Sequence, residues 1–225
     1  MIIVTGSSKG LGLSICNRLI ANGETVIGLS RSGKSDLFRE YNCDVGDYQS
    51  LSEISKEIKK TKQPVRCLIN AAGIASMNLA LTTDETSVKN ILQTNLLGTI
   101  FSCQLFSPLM IRKREGLIIN FSTIAVPLSL KGESIYAASK AGVEVFSKSF
   151  ARELADFDIR VNCIAPGPIS TDLLKGISKT QIKRIVDQQI IQKQFKEEDI
   201  CDLVELLLDE KSKAITGHVF NVGGV

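Results

Sequence analysis

The sequence is short of the residues that build metal sites. Its 225 residues include one histidine, His218, and six cysteines, Cys16, Cys43, Cys67, Cys103, Cys163 and Cys201, none of them in a CxxC pair. A zinc site draws three or four such ligands at close spacing, so no metal is expected. Most of the cysteines fall inside apolar segments and read as buried, reduced thiols of a cytoplasmic protein. Charge imbalance is also missing, since 27 Lys and Arg against 24 Asp and Glu leave +3. That excludes the basic surface of a nucleic-acid-binding or membrane-surface protein. The clusters Lys59-Lys60-Lys62 and Arg112-Lys113-Arg114 sit where helices are expected to end, and complement the helix dipole there. The chain opens directly on Ile2-Ile3-Val4, without a charged n-region, apolar h-region or cleavage site, so no secretory signal is expected. No linker, repeat or low-complexity run divides it, which predicts one domain over residues 1–225.

Residues 90–111 lack any charge and are long enough to cross a bilayer. Asn90, Gln93, Asn95, Gln104 and Pro108 interrupt the stretch, which fits a buried helix better than a membrane span. Elsewhere short apolar runs alternate with amphipathic ones. Strands are expected at Ile2–Thr5, Thr25–Ser30, Asn42–Asp44, Arg66–Asn70, Leu117–Ser122, Ile159–Ala165 and His218–Asn221. Helices are expected at Gly10–Ala21, Leu51–Lys60, Thr86–Arg112, Ile135–Asp156, Thr180–Gln192 and Glu197–Leu208. Strands apolar on both faces, alternating with helices, predict an α/β fold: a Rossmann-type doubly wound parallel sheet of about seven strands with helices on both faces. The connection from Arg31 to Tyr41 is too short for a crossover helix and reads as a loop or a single turn.

The first strand runs into Thr5-Gly6-Ser7-Ser8-Lys9-Gly10-Leu11-Gly12 and then a helix. A pyrophosphate lying on a helix N-terminus needs exposed N–H groups and no Cβ in the way, which assigns Gly6, Ser8, Lys9, Gly10, Leu11 and Gly12 to a cofactor. This TGxxxGxG spacing resembles the fingerprint of the short-chain dehydrogenase/reductase family. Further motifs follow in that family's order: Asn70-Ala71-Ala72-Gly73, Thr94-Asn95, Tyr136-Ala137-Ala138-Ser139-Lys140, Pro166-Gly167-Pro168-Ile169-Ser170-Thr171, and Asn221-Val222-Gly223-Gly224. The resemblance covers essentially the whole chain and is strongest to the 3-oxoacyl-[acyl-carrier-protein] reductase type. It implies a nicotinamide cofactor held by the glycine turn, by Asp44 and Val45 at the adenine, by Asn70, Ala71, Ala72 and Gly73, and by Pro166, Gly167, Ile169 and Thr171 near the nicotinamide.

Cofactor choice turns on charge. The second strand ends in Leu29-Ser30-Arg31-Ser32, with no acid to hold a ribose diol. Ser30 and Arg31, with Lys9 from the glycine turn, suit a 2′-phosphate, so NADP is expected. The resemblance makes Tyr136 the general acid/base and gives Lys140 the tasks of holding the ribose and lowering the tyrosine pKa. It gives Asn95 a place in a proton relay, through a helix bulge. The family's polarising serine lies 13 positions before its tyrosine; here that position is Thr123, with Ser122 as the alternative. The expected activity is NADPH-dependent reduction of a small-molecule carbonyl, ketone or 3-oxoacyl. Two alternatives stand beside it: a silent NADP-sensing scaffold and a sugar-modifying dehydrogenase. Arg114 suits the active-site rim of an acyl-carrier-protein reductase, whereas Phe157, between two aspartates, speaks against that partner. Residues 172–194 are expected to flank the substrate. A homo-oligomer, tetramer or dimer, is expected through the helices at Thr86–Arg112 and Ile135–Asp156.

Overall fold

A computed structural model describes residues 1–33, 35–75, 77–170 and 178–225. The strands are β1 (Ile2–Thr5), β2 (Val26–Ser30), β3 (Arg39–Asn42), β4 (Cys67–Asn70), β5 (Gly116–Phe121), β6 (Ile159–Ala165) and β7 (Val219–Asn221). They form one sheet in the order β3-β2-β1-β4-β5-β6-β7, with every pair parallel. The helices are α1 (Gly10–Ala21), α2 (Tyr48–Lys60), α3 (Glu85–Leu92), α4 (Gly98–Phe106), α5 (Pro108–Ile111), α6 (Ala125–Leu128), α7 (Ser134–Leu154), α8 (Lys179–Val186) and α9 (Glu197–Leu208).

Alternating side chains divide the core in two. Ile2 and Val4 of β1, Cys67 and Ile69 of β4, and Leu117 and Ile119 of β5 cluster with Ile15 and Leu19 of α1 and Val204 and Leu207 of α9. Ile3, Leu68 and Ile118 cluster instead with Leu51 and Ile58 of α2, Phe106 of α4 and Leu154 of α7. A sheet buried on both faces calls for apolar residues at most strand positions, which is why its central strands carry no polar/apolar alternation. The run Glu85–Ile111 is long and apolar enough to cross a membrane by length and composition. Here its α4 segment packs on β4, α2 and α7. All six cysteines are free and buried, and burial raises each of their thiols above the ordinary range.

The helix expected at Thr86–Arg112 is divided into α3, α4 and α5, and α6 was not expected; three further differences have a local cause. β3 lies at Arg39–Asn42 rather than Asn42–Asp44; it is an edge strand held by backbone pairing to β2, so it needs no apolar run. α2 starts at Tyr48, three residues early, because the Asp47 carboxylate caps the N–H groups of Gln49 and Ser50. α8 ends at Val186, not Gln192, because the side chain of Gln189 turns inward and donates to the carbonyls of Ile191 and Lys193.

One burial runs against the apolar pattern. Among the described residues Lys140 is the only charged side chain in the buried set, at 4% exposure. Its Nζ donates to Phe121 O at 2.8 Å. Loss of water still pulls its pKa down to about 8 from the ordinary 10.5. Between those values the unfolded chain binds more protons than the folded one, so this group makes stability rise with pH through that window. Below about 8 the folded chain carries the whole penalty of a buried charge. Replacing Lys140 by Met keeps the length and removes the charge. Lys140→Met is therefore expected to melt higher than the wild type at pH 7, with the gap narrowing as pH rises from 8 to 10. Thermal melts across that range check it; a pH-independent loss of Tm would contradict it.

Candidate active site

Parallel strands put all their C-terminal ends on one edge, and the chain leaves β1 and β4 in opposite directions along the sheet. At that crevice the turn after β1 meets the segment after β4. Gly6 has φ +72° and approaches so closely that a Cβ would lie 2.8 Å from Ala72 Cα. A Cβ on Gly12 would lie 2.2 Å from Gly6 O. Thr5 Oγ1 accepts from Ala72 N at 3.1 Å and closes the junction. Gly10 also has positive φ, +52°. α1 begins here with no side-chain cap and no acid in its first turn, unlike α2 and α3, which Asp47 and Asp84 cap. Its first N–H groups are thus left to an anion. Ser8 is partly buried and Lys9 exposed in this turn, with Leu11 partly buried behind it.

A cleft of about 500 Å³ opens alongside, lined by Arg31, Asp44, Gly46, Asp47, Ile74, Asn90, Gln93 and Thr94. Asp44 Oδ1 is held by Gly46 N at 2.8 Å. Ser30 Oγ accepts from Gly33 N at 2.9 Å, which shapes the loop that carries Arg31. Val45 does not join the cleft wall. It is buried, with its Cγ2 2.7 Å from where a Cβ on Gly98 would stand. The expectation of a site without a local acid also needs correction. Glu40 of β3 reaches the glycine turn, accepting from Ser7 Oγ at 2.5 Å, and its oxygens lie 2.4 Å from where a Cβ on Gly33 would stand. This acid stands ten positions beyond Ser30 in sequence, and only the pairing of β2 with β3 brings it close.

The remaining groups gather at the ends of β4 and β5. Asn70 donates to Asn120 Oδ1 at 2.8 Å, and Asn120 to Ser147 Oγ at 2.7 Å, so a buried polar chain backs the site. Gly73 lies between Asn95 and Lys140: a Cβ there would stand 3.4 Å from Asn95 Oδ1 and 3.5 Å from Lys140 Nζ. Asn95 sits in a π-helical turn, Gln93–Leu97, between α3 and α4. Its side chain binds both the N–H and the carbonyl of Ile74, at 2.8 and 2.9 Å, and donates to Ser139 Oγ at 3.1 Å. Ser139 in turn donates to Tyr136 O at 2.6 Å. One asparagine thereby ties the segment after β4 to α7.

Tyr136 and Lys140 lie four apart on α7, on one face. Just past β5 the two adjacent hydroxyls part. Ser122 Oγ donates to Glu144 Oε1 at 2.5 Å, whereas the Thr123 hydroxyl accepts from Ala125 N at 3.2 Å and stands near enough to the Tyr136 phenol to lower its pKa. The expected lowering of the tyrosine pKa by Lys140 is not found. Tyr136 is pushed up to about 12, by burial first and by the nearby Glu133 second, against a smaller lowering from Thr123. Lys140 points its ammonium at Phe121 O, so it screens the phenol too weakly to offset burial.

Pro166 O accepts from Ile124 N at 3.1 Å, and Gly167 sits where a Cβ would be 2.0 Å from Gln189 Oε1. Ile169 is buried and bridges to Phe195. Gln189 had no sequence signal, yet its buried amide abuts the 166–169 loop. Thr171 and the first six residues of the segment expected to flank the substrate, 172–177, lie outside the described residues. Arg114 is not at the cleft within this chain. It precedes β5, so a six-residue strand, roughly 20 Å long, separates it from the edge that carries Thr123, and it pairs instead with Asp158 at 3.2 Å.

A family model described as short chain dehydrogenase matches residues 1–182. The 3-oxoacyl-[acyl-carrier-protein] reductase FabG of Staphylococcus epidermidis is 35% identical, over 99% of this chain and 96% of its own. Carbonyl reductase family member 4 of Xenopus tropicalis is 34% identical, over 98% and 95%. Among solved structures, ligand-free aldohexose dehydrogenase of Thermoplasma acidophilum is similar with a TM-score of 0.88 at 28% identity, covering 99% of this chain and 92% of that one. ElxO with NADP bound is similar with a TM-score of 0.89 at 28% identity, covering 98% and 96%. The chain belongs to the short chain dehydrogenase family, oxidoreductases that use a nicotinamide dinucleotide.

Proposed function

We propose that this chain is an NADPH-dependent reductase of a ketone or 3-oxoacyl group. The observation that carries the reading is the placing of the Thr123 hydroxyl beside the Tyr136 phenol, which lies one helical turn from Lys140. Gly6, Gly10 and Gly12 with the uncapped start of α1 would hold the pyrophosphate, Arg31 and Lys9 the 2′-phosphate, Asp44 the adenine side, Asn70–Gly73 the middle, and residues 166–169 the nicotinamide end. The nicotinamide supplies the hydride. The Thr123 and Tyr136 hydroxyls together bind the carbonyl oxygen, and Tyr136 gives it a proton as negative charge develops. A phenol held near 12 is loaded with its proton at neutral pH, which supports the reducing direction. Lys140, at about 8, can hold or release a proton close to neutrality. The exposed Leu92 and Leu97 of the α3–α4 helix and Val145 of α7 support pairing of copies through that face.

The test is NADPH consumption with a panel of ketones and 3-oxoacyl thioesters. Tyr136→Phe is expected to lower kcat by at least ~100-fold, the scale of a lost general acid, with NADPH affinity little changed; turnover within a few-fold of wild type would remove Tyr136 from the mechanism. Thr123→Val removes the donor and keeps the shape, and is expected to cost on the order of 3 kcal/mol in transition-state binding. Ser122→Ala should be mild, because Ser122 is engaged by Glu144. The opposite ranking in steady-state kinetics would move the polarising hydroxyl to Ser122. Cofactor choice is tested by titration: NADPH is expected to bind at least ~10-fold more tightly than NADH, and Arg31→Ala to erode that ratio. Equal affinities in the wild type would leave Arg31 a surface charge and bring Glu40 forward.

A further inference from the structure

One carboxylate beside the site has no task in this mechanism. Glu133 is the residue immediately before α7, three positions before Tyr136, and lies just outside the helical backbone. Its backbone is in use: its N–H donates to Leu130 O at 3.2 Å and its carbonyl accepts from Ala137 N at 2.7 Å. Its carboxylate does not cap the helix, and it makes no hydrogen bond or ion pair with the described residues. The residue is partly buried, and burial raises its pKa. Its charge reaches the Tyr136 phenol and raises that pKa as well. Two other partly buried acids near the cleft are engaged, Glu144 by Ser122 and Glu40 by Ser7. A half-buried carboxylate without a donor loses hydration and gains nothing in return, a cost that a donor on a ligand would offset.

Resting on the reductase reading, we propose that Glu133 determines substrate specificity. Its carboxylate accepts a hydrogen bond from a hydroxyl or ammonium on the substrate and repels a carboxylate in the same place. Around the start of a helix, Cβ atoms three positions apart stand on the order of 5–6 Å from each other. The donor therefore belongs two or three bonds from the carbonyl carbon that Tyr136 serves. Selection works in both directions, since a like charge brought against Glu133 in a site shielded from water is rejected more strongly than a neutral group is merely missed.

The test uses four ketones of nearly equal size: 2-pentanone, 4-hydroxy-2-butanone, 4-amino-2-butanone and acetoacetate. In the wild type, kcat/KM is expected to rank the hydroxy and amino ketones above 2-pentanone, and acetoacetate below it. In Glu133→Gln the amino ketone to acetoacetate ratio is expected to fall at least ~10-fold, about 1.4 kcal/mol. The hydroxy ketone should lose less, because a glutamine oxygen still accepts from a hydroxyl. The two arms thus separate an ammonium from a hydroxyl as the donor. Ratios taken within one variant do not depend on how much of it is folded. An unchanged ratio overturns the assignment of Glu133. If no ketone is reduced at all, 2-pentanone included, the reductase reading falls instead. The same comparison is then made as Kd ratios by ligand-observed NMR on the NADP-loaded protein, where equal ratios in wild type and variant overturn the proposal.

Discussion

The structure turns on one backbone-to-backbone contact, where the Gly6 turn lies against Ala72 and under Gly12. Nothing larger than hydrogen fits at Gly6 or Gly12, and the Thr5 hydroxyl locks the junction to Ala72 N. That contact joins chain segments more than sixty residues apart and fixes how far the start of α1 stands from the end of β4. Asn95 then carries the geometry onward, from Ile74 through Ser139 to the carbonyl of Tyr136. The distance between the glycine turn and the tyrosine is thus set by a short series of hydrogen bonds rather than by apolar packing, which would tolerate a wider range of spacings.

Electrostatics at the other end of that series is a contest between burial and pairing. Burial wins at both partners, moving Tyr136 up and Lys140 down. Each shift favours the neutral form of its group. The two values, ordinarily 10 and 10.5, are driven apart to about 12 and about 8, so the phenol passes its proton to the lysine less readily than it would in water, while one bond from Nζ to Phe121 O keeps the lysine placed. Such a site is held together at a cost in stability, as groups aimed at chemistry rather than at each other generally are.

The parallel sheet covered on both faces was legible because β1, β2, β4, β5 and β6 are buried on both faces and are apolar at most positions. β3 was misplaced because Arg39 and Glu40 carry no such signal; an edge strand needs only a partner's backbone. Glu40 was missed for the same reason, since strand pairing and not sequence distance brings it to Ser7. The spacing from Tyr136 pointed to Thr123, and strand geometry sends Ser122 the other way, toward Glu144. The tyrosine pKa could not be read from the Tyr–Lys spacing, because burial depends on everything packed around the phenol. Glu133 was silent in the sequence, being a charged residue before a helix like many others.

The buried thiols have a further consequence. Thiolate is the reactive form of cysteine, and Cys16 and Cys67 are pushed up to about 12, Cys163 and Cys201 to about 11. At neutral pH these thiols react slowly with alkylating reagents in the folded chain, so their labelling passes through opened states. Cys16 lies in α1 and Cys201 in α9 on one side of the sheet, Cys103 in α4 on the other, and Cys67 and Cys163 within it. Without a single introduced probe, the chain carries a built-in set of hydrogen-exchange-like reporters, whose separate labelling rates would rank how easily each layer comes apart from the next.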